Sequence, residues 1–278
     1  ISPQDLKRIG RADVTLPLRW GDNGRAEKQP PEIPERRWPE PEVLEMDKAA
    51  FLKPGARIGF VSRIDYMSPG FREAMVVRGT EIFCAEGCPF FVINAGLVNK
   101  NGVRDEIDGY RDAIRGLSKE KKAETVEKIL AEIARGLASA IPRVRNPVEK
   151  GKFVRWYIST SNQFDGKYGE AIAWRLQNLR PDDIRIHNPF QGPLVVKGIN
   201  KRIGIVHSRR NRLPSEYHSN AAERDIKDFE TLMARDDYDI YAVGGHASGV
   251  HNSRGGERKI PYFSIGALHR LQGEKVAE

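Results

Sequence analysis

The sequence has little cysteine and no long apolar run. Two of its 278 residues are cysteines, which is too few for the disulfide framework of a small secreted domain. A membrane-spanning helix needs roughly 20 consecutive apolar residues, and no stretch of the chain approaches that length. The glycines follow no fixed period, as they would in a collagen-like chain. These absences exclude a disulfide scaffold, a fibrous protein and a membrane protein, and we expect no membrane partner.

The two cysteines do not indicate a zinc site. Cys84 and Cys88 lie four residues apart, and no second pair supplies the two further ligands that a tetrahedral zinc site needs. Reduced thiols are typical of cytosolic proteins. The first ten residues, ISPQDLKRIG, also lack the apolar segment of a signal peptide. We therefore expect a cytoplasmic protein.

The charge of the chain is predominantly basic. Lysine and arginine number 46 against 38 acidic residues, which gives a net charge of +8 and a pI near 9.4. This balance is compatible with a nucleic acid or another polyanion as partner, although many basic proteins bind none. Blocks of isoleucine, valine, leucine and phenylalanine recur along the chain and exclude wholesale disorder.

The composition divides the chain into an arm, residues 1–55, and a domain, residues 56–278. The stretch from Gly21 to Glu42 is rich in proline and charge, so the arm is predicted to run extended, because proline fixes φ and removes backbone donors. Two interpretations of the arm stay open: a linker, or a segment that binds a protein partner.

Within the domain, apolar patterning predicts an α/β fold. Strands alternate first with helices and then cluster together, which favours a sandwich with a mixed sheet over a uniformly parallel one. Ser68 and Ser118 are predicted N-caps of two of the helices. The predicted strands are 57–62, 89–96, 153–159, 184–188, 193–198, 202–208, 239–245 and 262–268, and the predicted helices are 68–84, 104–117, 118–140, 168–179 and 215–234.

Polar segments follow the ends of five predicted strands, where reactive groups of such folds lie. In order they are FVSRID, INAGLVN, STSNQFDGKYG, GIVHS and VGGHAS. This succession resembles the calcineurin-like metallophosphoesterase family over about residues 56–272. The resemblance implies a four-layer α/β/β/α sandwich whose strand-end loops hold two metal ions.

Most of the family's metal ligands are replaced in this chain. The aspartate and histidine of the first motif fall on Arg63 and Asp65, and the aspartate that bridges the two ions falls on Gly96. Glycine supplies no carboxylate, and a guanidinium does not deprotonate in proteins. A two-ion centre is therefore not expected. The expected ligand positions that survive are Asn162, His207 and His246.

One interpretation is a pseudoenzyme: a catalytically impaired or inactive relative that binds nucleic acid or another phosphate-rich partner, as some relatives do within a larger assembly. In this interpretation Arg63 is a built-in cation that pairs with Asp65 or binds a phosphate bidentately. Basic residues that follow the histidine-bearing loops would rim the same cleft. The predicted phosphate or nucleic-acid contacts are Arg63, Arg209, Arg210, Arg212, Arg254, Arg258 and Lys259.

The alternative interpretation is a divergent phosphodiesterase or nuclease that uses a single divalent metal ion, Mn, Fe or Zn. Three protein ligands and a water molecule form a known catalytic arrangement for zinc. Here Asn162, His207 and His246 would hold the metal, with Asp65 or His251 completing the site, and Arg63 would steady the charge of the transition state. The sequence leaves open whether the protein is an enzyme.

Overall fold

A computed structural model describes residues 43–44, 57–147, 149–189, 192–196, 201–208, 218–233, 237–245, 250–254 and 260–264. The strands among them are β1 Val43–Leu44, β2 Gly59–Val61, β3 Phe90–Asn94, β4 Arg155–Ser159, β5 Ile184–Ile186, β6 Leu194–Val196, β7 Lys201–His207, β8 Ile240–Gly244, β9 Val250–Arg254 and β10 Ile260–Ser264. The helices are α1 Glu73–Ala85, α2 Lys100–Gly109, α3 Arg111–Ile114, α4 Lys119–Ala140, α5 Gly169–Leu179 and α6 His218–Met233.

The strands form two sheets. Strands β2, β3, β4 and β5 lie side by side in that order, and every pair is parallel. The second sheet has the order β1-β6-β7-β8-β10-β9 and is mixed, since β6–β7 and β9–β10 are antiparallel while the other pairs are parallel. The predicted α/β fold with a mixed sheet is confirmed.

Three clusters of buried apolar side chains hold these elements together. Because strand side chains alternate between faces, Phe91 and Ile93 of β3 pack in a first cluster with the helices, while Phe90 and Val92 pack in a second. That second cluster contains side chains from both sheets, including Leu194, Ile203, Ile205 and Ala242 of the six-stranded sheet. The third joins the six-stranded sheet to α6.

The long helix α4 forms as the sequence predicts. Ser118 is its N-cap, and its hydroxyl accepts a hydrogen bond from the Lys121 amide at 3.4 Å. The predicted apolar stripe faces the first cluster, where each fully buried leucine or isoleucine contributes roughly 1.5–3 kcal/mol. The buried members of the stripe are Ile129, Leu130, Ile133, Leu137 and Ile141, with Val126 packed at the edge.

The start of α1 differs from its prediction. The helix begins at Glu73, with Arg72 as an N-cap that makes no side-chain capping bond. Ser68, the predicted cap, belongs instead to a preceding turn, where its amide donates to the Asp65 carbonyl at 2.9 Å and its carbonyl accepts from Phe71 at 3.1 Å. The predicted helix 104–117 is also wrong, because α2 and α3 divide that region at Tyr110.

Two strands were not predicted. Val43–Leu44, within the predicted arm, pairs in parallel with β6, and the rest of the arm lies outside the described residues. Val250–Arg254 pairs with β10, so His251 and Arg254, which lie outside every predicted strand, both belong to one. In the part of the chain that the structure describes, no helix has the length and apolar character to cross a membrane.

Candidate functional site

Side chains at the carboxyl ends of the strands join the two sheets. The Gly245 amide, just after β8, donates to the Ser62 hydroxyl, just after β2, at 2.8 Å. At the end of β4 the Ser159 hydroxyl lies 2.9 Å from His207 Nε2 at the end of β7. The Asn94 side-chain amide donates to carbonyls of β7 and β8 at 3.3 and 2.8 Å. The ends of β2, β3, β4, β7 and β8 therefore meet at one edge, which we call the carboxyl edge.

The two glycines after β8 allow this close approach. A Cβ at Gly244 would lie 2.2 Å from the Asn94 carbonyl oxygen, so only glycine fits against β3. Gly245 has φ of 95°, and a Cβ there would lie 2.5 Å from the Phe164 ring. Close packing around the end of β8 thus requires glycine at positions 244 and 245.

An ion pair stands at the end of β2. Arg63 Nε and Nη2 both donate to Asp65 Oδ2, at 3.2 and 2.9 Å. The Asp65 side chain is buried, and the Arg63 side chain is 19% exposed. The guanidinium carbon also lies 5.4 Å from the centre of the Phe164 ring. Arg63 is therefore a positioned cation, with a carboxylate on one side and an aromatic ring nearby.

Gly96 packs directly against this ion pair. Its φ is 68°, and a Cβ there would lie 2.7 Å from Arg63 Cα and 2.8 Å from Asp65 Oδ1. A side chain at position 96 is incompatible with Arg63 and Asp65 as they lie. The residues present consequently do not fit a two-ion centre, because the bridging carboxylate is missing and the Asp65 carboxylate is bonded to a guanidinium.

A second buried carboxylate, Asp165, ties two of the loops together. It accepts hydrogen bonds from the amides of Gly96, Val98 and Ser161 at 3.1, 3.0 and 2.7 Å. The pKa of Asp165 is raised to about 6, mainly by burial and also by the negative charge of Asp65, against the opposing effect of the three N–H bonds. Sequence reasoning did not single out Asp165; the signal it overlooked was an acidic residue just before the glycine of the STSNQFDGKYG segment.

The imidazole of His207 is neutral at pH 7. The pKa of this half-buried residue falls to about 3, mainly because the surrounding protein desolvates the ring and also because His187 lies nearby. His187 is itself buried after β5, where its amide donates to the Ile158 carbonyl at 2.8 Å. His187 has no motif context in the sequence, and the structure brings it close enough to affect His207.

The loops after β2 and β3 contain backbone strain. Four residues other than glycine have a left-handed φ: Arg63 at 53°, Asp65 at 48°, Met67 at 70° and Ala95 at 64°. Such conformations cost of order 1 kcal/mol or more each, and they persist where the surroundings hold them. Here the amides of Arg63 and Asp65 donate to the carbonyls of Ala95 and Gly96 at 2.9 and 2.7 Å. Strain of this kind concentrates at functional sites.

The structure brings part of the predicted site together. Arg63, Asp65 and Gly96 are in contact. Asn162 is exposed on the loop that also carries Phe164 and Asp165, and His207 ends the neighbouring sheet's central strand. No group of three or more histidine, cysteine or acidic side chains that could hold a metal ion is found within the described ranges. The predicted residues outside those ranges are His246, Arg209, Arg210, Arg212, Arg258 and Lys259.

Comparison with known proteins finds structural likeness only. No protein-family model and no curated protein sequence matches the chain. One similar crystal structure has a TM-score of 0.41 at 12% identity and covers 76% of this chain and 90% of its own. Another, the nuclease MPE of Pseudomonas putida, has a TM-score of 0.32 at 9% identity and covers 79% of this chain and 78% of its own. Because both scores are below 0.5, we base the proposed function on the residues of the carboxyl edge.

Proposed function

We propose that the chain is a metallophosphoesterase-like protein without two-metal catalysis, which binds nucleic acid or another phosphate-rich partner at the carboxyl edge. The observation that carries the proposal is the Arg63–Asp65 ion pair packed against Gly96. A fixed guanidinium repels a divalent ion and attracts phosphate oxygens, which it binds with charge-assisted hydrogen bonds. On this proposal the Arg63 guanidinium, whose Nε and Nη2 donate to Asp65, offers its remaining N–H groups to a phosphate.

Further cations follow this edge in the sequence. β7 ends at His207 and β8 ends at Gly244. Arg209 and Arg210 come two and three residues after His207 in the sequence. We infer that they supply the phosphate contacts that surround Arg63.

We also propose that the arm contacts a protein partner, as part of a larger assembly. A further proposal is that the fold is the four-layer α/β/β/α sandwich. The order of the apolar clusters supports the four layers: one between the helices and the four-stranded sheet, one shared by both sheets, and one between the six-stranded sheet and α6.

Binding of duplex DNA at different salt concentrations tests the proposed function. Fluorescence anisotropy with a probe of about 30 base pairs should give a log affinity that falls linearly with log salt, because phosphate contacts release counterions. Arg209→Glu with Arg210→Glu should reduce that slope by about 1.8, at about 0.9 for each contact. Arg78→Gln, on the exposed face of α1, is the control and should leave the slope unchanged. A wild-type slope near zero would overturn the proposal.

The single-metal phosphodiesterase remains the second candidate, because the neutral imidazole of His207 is in the protonation state that binds metals. Metal analysis and hydrolysis of bis(p-nitrophenyl) phosphate with added Mn²⁺ separate the two candidates. About one equivalent of bound metal, lost together with turnover in His246→Ala, would favour the enzyme. The absence of both turnover and bound metal would favour the binding protein.

A further inference from the structure

A short hairpin at the other edge of the four-stranded sheet leads from α4 into β4. It spans residues 143–155, in which Arg145 and Phe153 pair in antiparallel fashion. The Val154 amide donates to the Val144 carbonyl at 3.0 Å. Across such a pair, opposite residues project to the same side and their neighbours project to the other. The hairpin therefore has two chemically distinct faces.

The inner face is apolar and the outer face is basic. Val144 and Val154 pack in the first apolar cluster. On the outer face, the guanidinium carbons of Arg143 and Arg145 lie 3.9 and 4.5 Å from the centre of the Phe153 ring. Strand alternation places Arg155 on the same side as Phe153; Arg155 is half-buried, at the end of the side on which Tyr157 packs in the second cluster, whereas Arg143 and Arg145 are exposed. We call these four residues, Arg143, Arg145, Phe153 and Arg155, the arginine face.

The hairpin that carries the arginine face has more positive than negative charge. Residues 143–155 include five basic residues and one acidic residue, and so carry a net charge of +4. The acidic residue, Glu149, is paired with Lys152 at 2.6 Å, and Arg143 is paired with Asp182 at 3.0 Å. Among the residues that the structure describes, no carboxylate forms an ion pair with Arg145 or Arg155.

The arginine face lies away from the carboxyl edge. The Asn146 side-chain amide donates to the Pro89 carbonyl at 3.1 Å, which places the hairpin beside the first residue of β3. β3 and β4 are five residues long, so about 13 Å of strand, at about 3.3 Å per residue, separates the two edges.

We propose that the arginine face binds a single strand of nucleic acid. Guanidinium groups bind phosphate oxygens and also present flat surfaces on which unpaired bases stack. The Phe153 ring holds two of them side by side through cation–π contacts. A duplex hides its base faces in the stack, so the combination of cations and flat groups favours a single strand. This surface is separate from the one in the proposed function.

The test is the affinity for a fluorescent oligothymidylate of about 20 nucleotides, measured by anisotropy from about 50 to 300 mM salt. Arg145→Gln with Arg155→Gln should weaken binding at least about tenfold at low salt. The log–log slope should fall by about 1.4, at about 0.7 for each single-strand phosphate contact. Arg104→Gln with Arg135→Gln removes the same charge from exposed helix positions on α2 and α4. This control should lose little affinity, and thermal melting should show both double variants folded.

The proposal would be overturned if the Arg145→Gln, Arg155→Gln variant and its control had equal affinity and slope. It would also be overturned if the variant lost as much affinity for poly-glutamate as for oligothymidylate. Repeating the measurement in the Arg209→Glu, Arg210→Glu background keeps the two proposed surfaces distinguishable. Independent surfaces give losses that multiply, because distant substitutions have additive free energies. If only the Arg209→Glu, Arg210→Glu variant lost affinity, the arginine face would be rejected and the proposed function would stand. If only the Arg145→Gln, Arg155→Gln variant lost affinity, the proposed function would be rejected and the arginine face would stand.

Discussion

Arg63, Asp65 and Gly96 constrain one another at the carboxyl edge. Two separate features of Gly96 disfavour a side chain: its left-handed φ would strain one, and Arg63 Cα would clash with its Cβ. The glycine at position 96 and the placement of Arg63 therefore depend on each other.

Gly96→Ala should therefore destabilise the protein by about 2–4 kcal/mol, since strained φ and a close contact add. Gly87→Ala is the matched control, because Gly87 has φ of 73° and a Cβ at that position would meet no atom within 4 Å. Urea unfolding should show a loss of about 1 kcal/mol for the control, from φ alone. Equal losses for the two variants would mean that Arg63 moves aside freely.

The sequence located Arg63, Asp65 and Gly96 because their position follows from strand ends and motif order. Asp165 was missed, because its role depends on the directions of the Gly96 and Val98 amides in a different loop, about 70 residues away. Residue type and spacing carry no information about amide directions across loops, whereas strand ends follow from local apolar patterning.

At the scale of elements, helix α2 shows why some boundaries were predicted wrongly. Asn99 caps it, since its side-chain oxygen accepts from the amides of Asn101 and Gly102 at 3.1 and 3.0 Å. The sequence predicts a start at 104, because KNG lacks apolar periodicity. The cap fixes the first turn instead. Ser118, followed directly by a strong apolar stripe, was predicted correctly.

Asn99→Ala should lower the free energy of unfolding by about 1 kcal/mol, because two amides at the start of α2 lose their acceptor. Asn99→Asp keeps the acceptor and places a negative charge at the helix N-terminus, where it is favourable. The aspartate variant should match or exceed the wild type in chemical denaturation. If alanine and aspartate behaved alike, the cap would contribute nothing.

Strand β9 was missed for a different reason. Its sequence, VHNSR, has no apolar alternation, and it joins the sheet through backbone pairing with β10 along one side. Pairing of this kind depends on a partner strand and not on local residue types. The same argument applies to β1, which consists of two residues.

For the whole molecule, two titratable groups, Asp165 and His207, make opposite contributions to the pH dependence of stability. Asp165 has a folded pKa of about 6 against an ordinary value of 3.8, so its contribution is greatest below about pH 4 and is lost as pH rises through about 6. His207 has a folded pKa of about 3 against 6.5, so its contribution is present above pH 6.5 and is lost as pH falls toward about 3. Between about pH 4 and 6 the two slopes oppose each other.

We expect Asp165→Asn to make the unfolding free energy fall more steeply on acidification from about pH 6 to 4, by up to about 1.4 kcal/mol per pH unit. His207→Gln should have the opposite effect over the same interval. Urea unfolding at intervals of about half a pH unit measures the slope of the unfolding free energy against pH for each variant. Asp108→Asn, on the surface of α2, is the control. Parallel curves for all three variants would contradict the assignment of these pKa values.

A sandwich was predictable, because the continuous apolar runs of β3 and β4 require a partner on both faces. The meeting of both sheets' carboxyl ends at one edge depends on contacts between distant segments, such as Asn94 with β7 and β8. The order of the motifs in the sequence indicated that the strand ends converge. It does not indicate which polar side chains form hydrogen bonds between the sheets.

Those bonds between the sheets have a consequence for how the protein could acquire new partners. Ser62, Asn94 and Ser159 fasten one sheet to the other before anything binds. These three residues therefore form a fixed base for the carboxyl edge, and substituting them would weaken the contact between the sheets. Substitutions that change what the protein binds without separating its sheets are therefore expected outside these three positions.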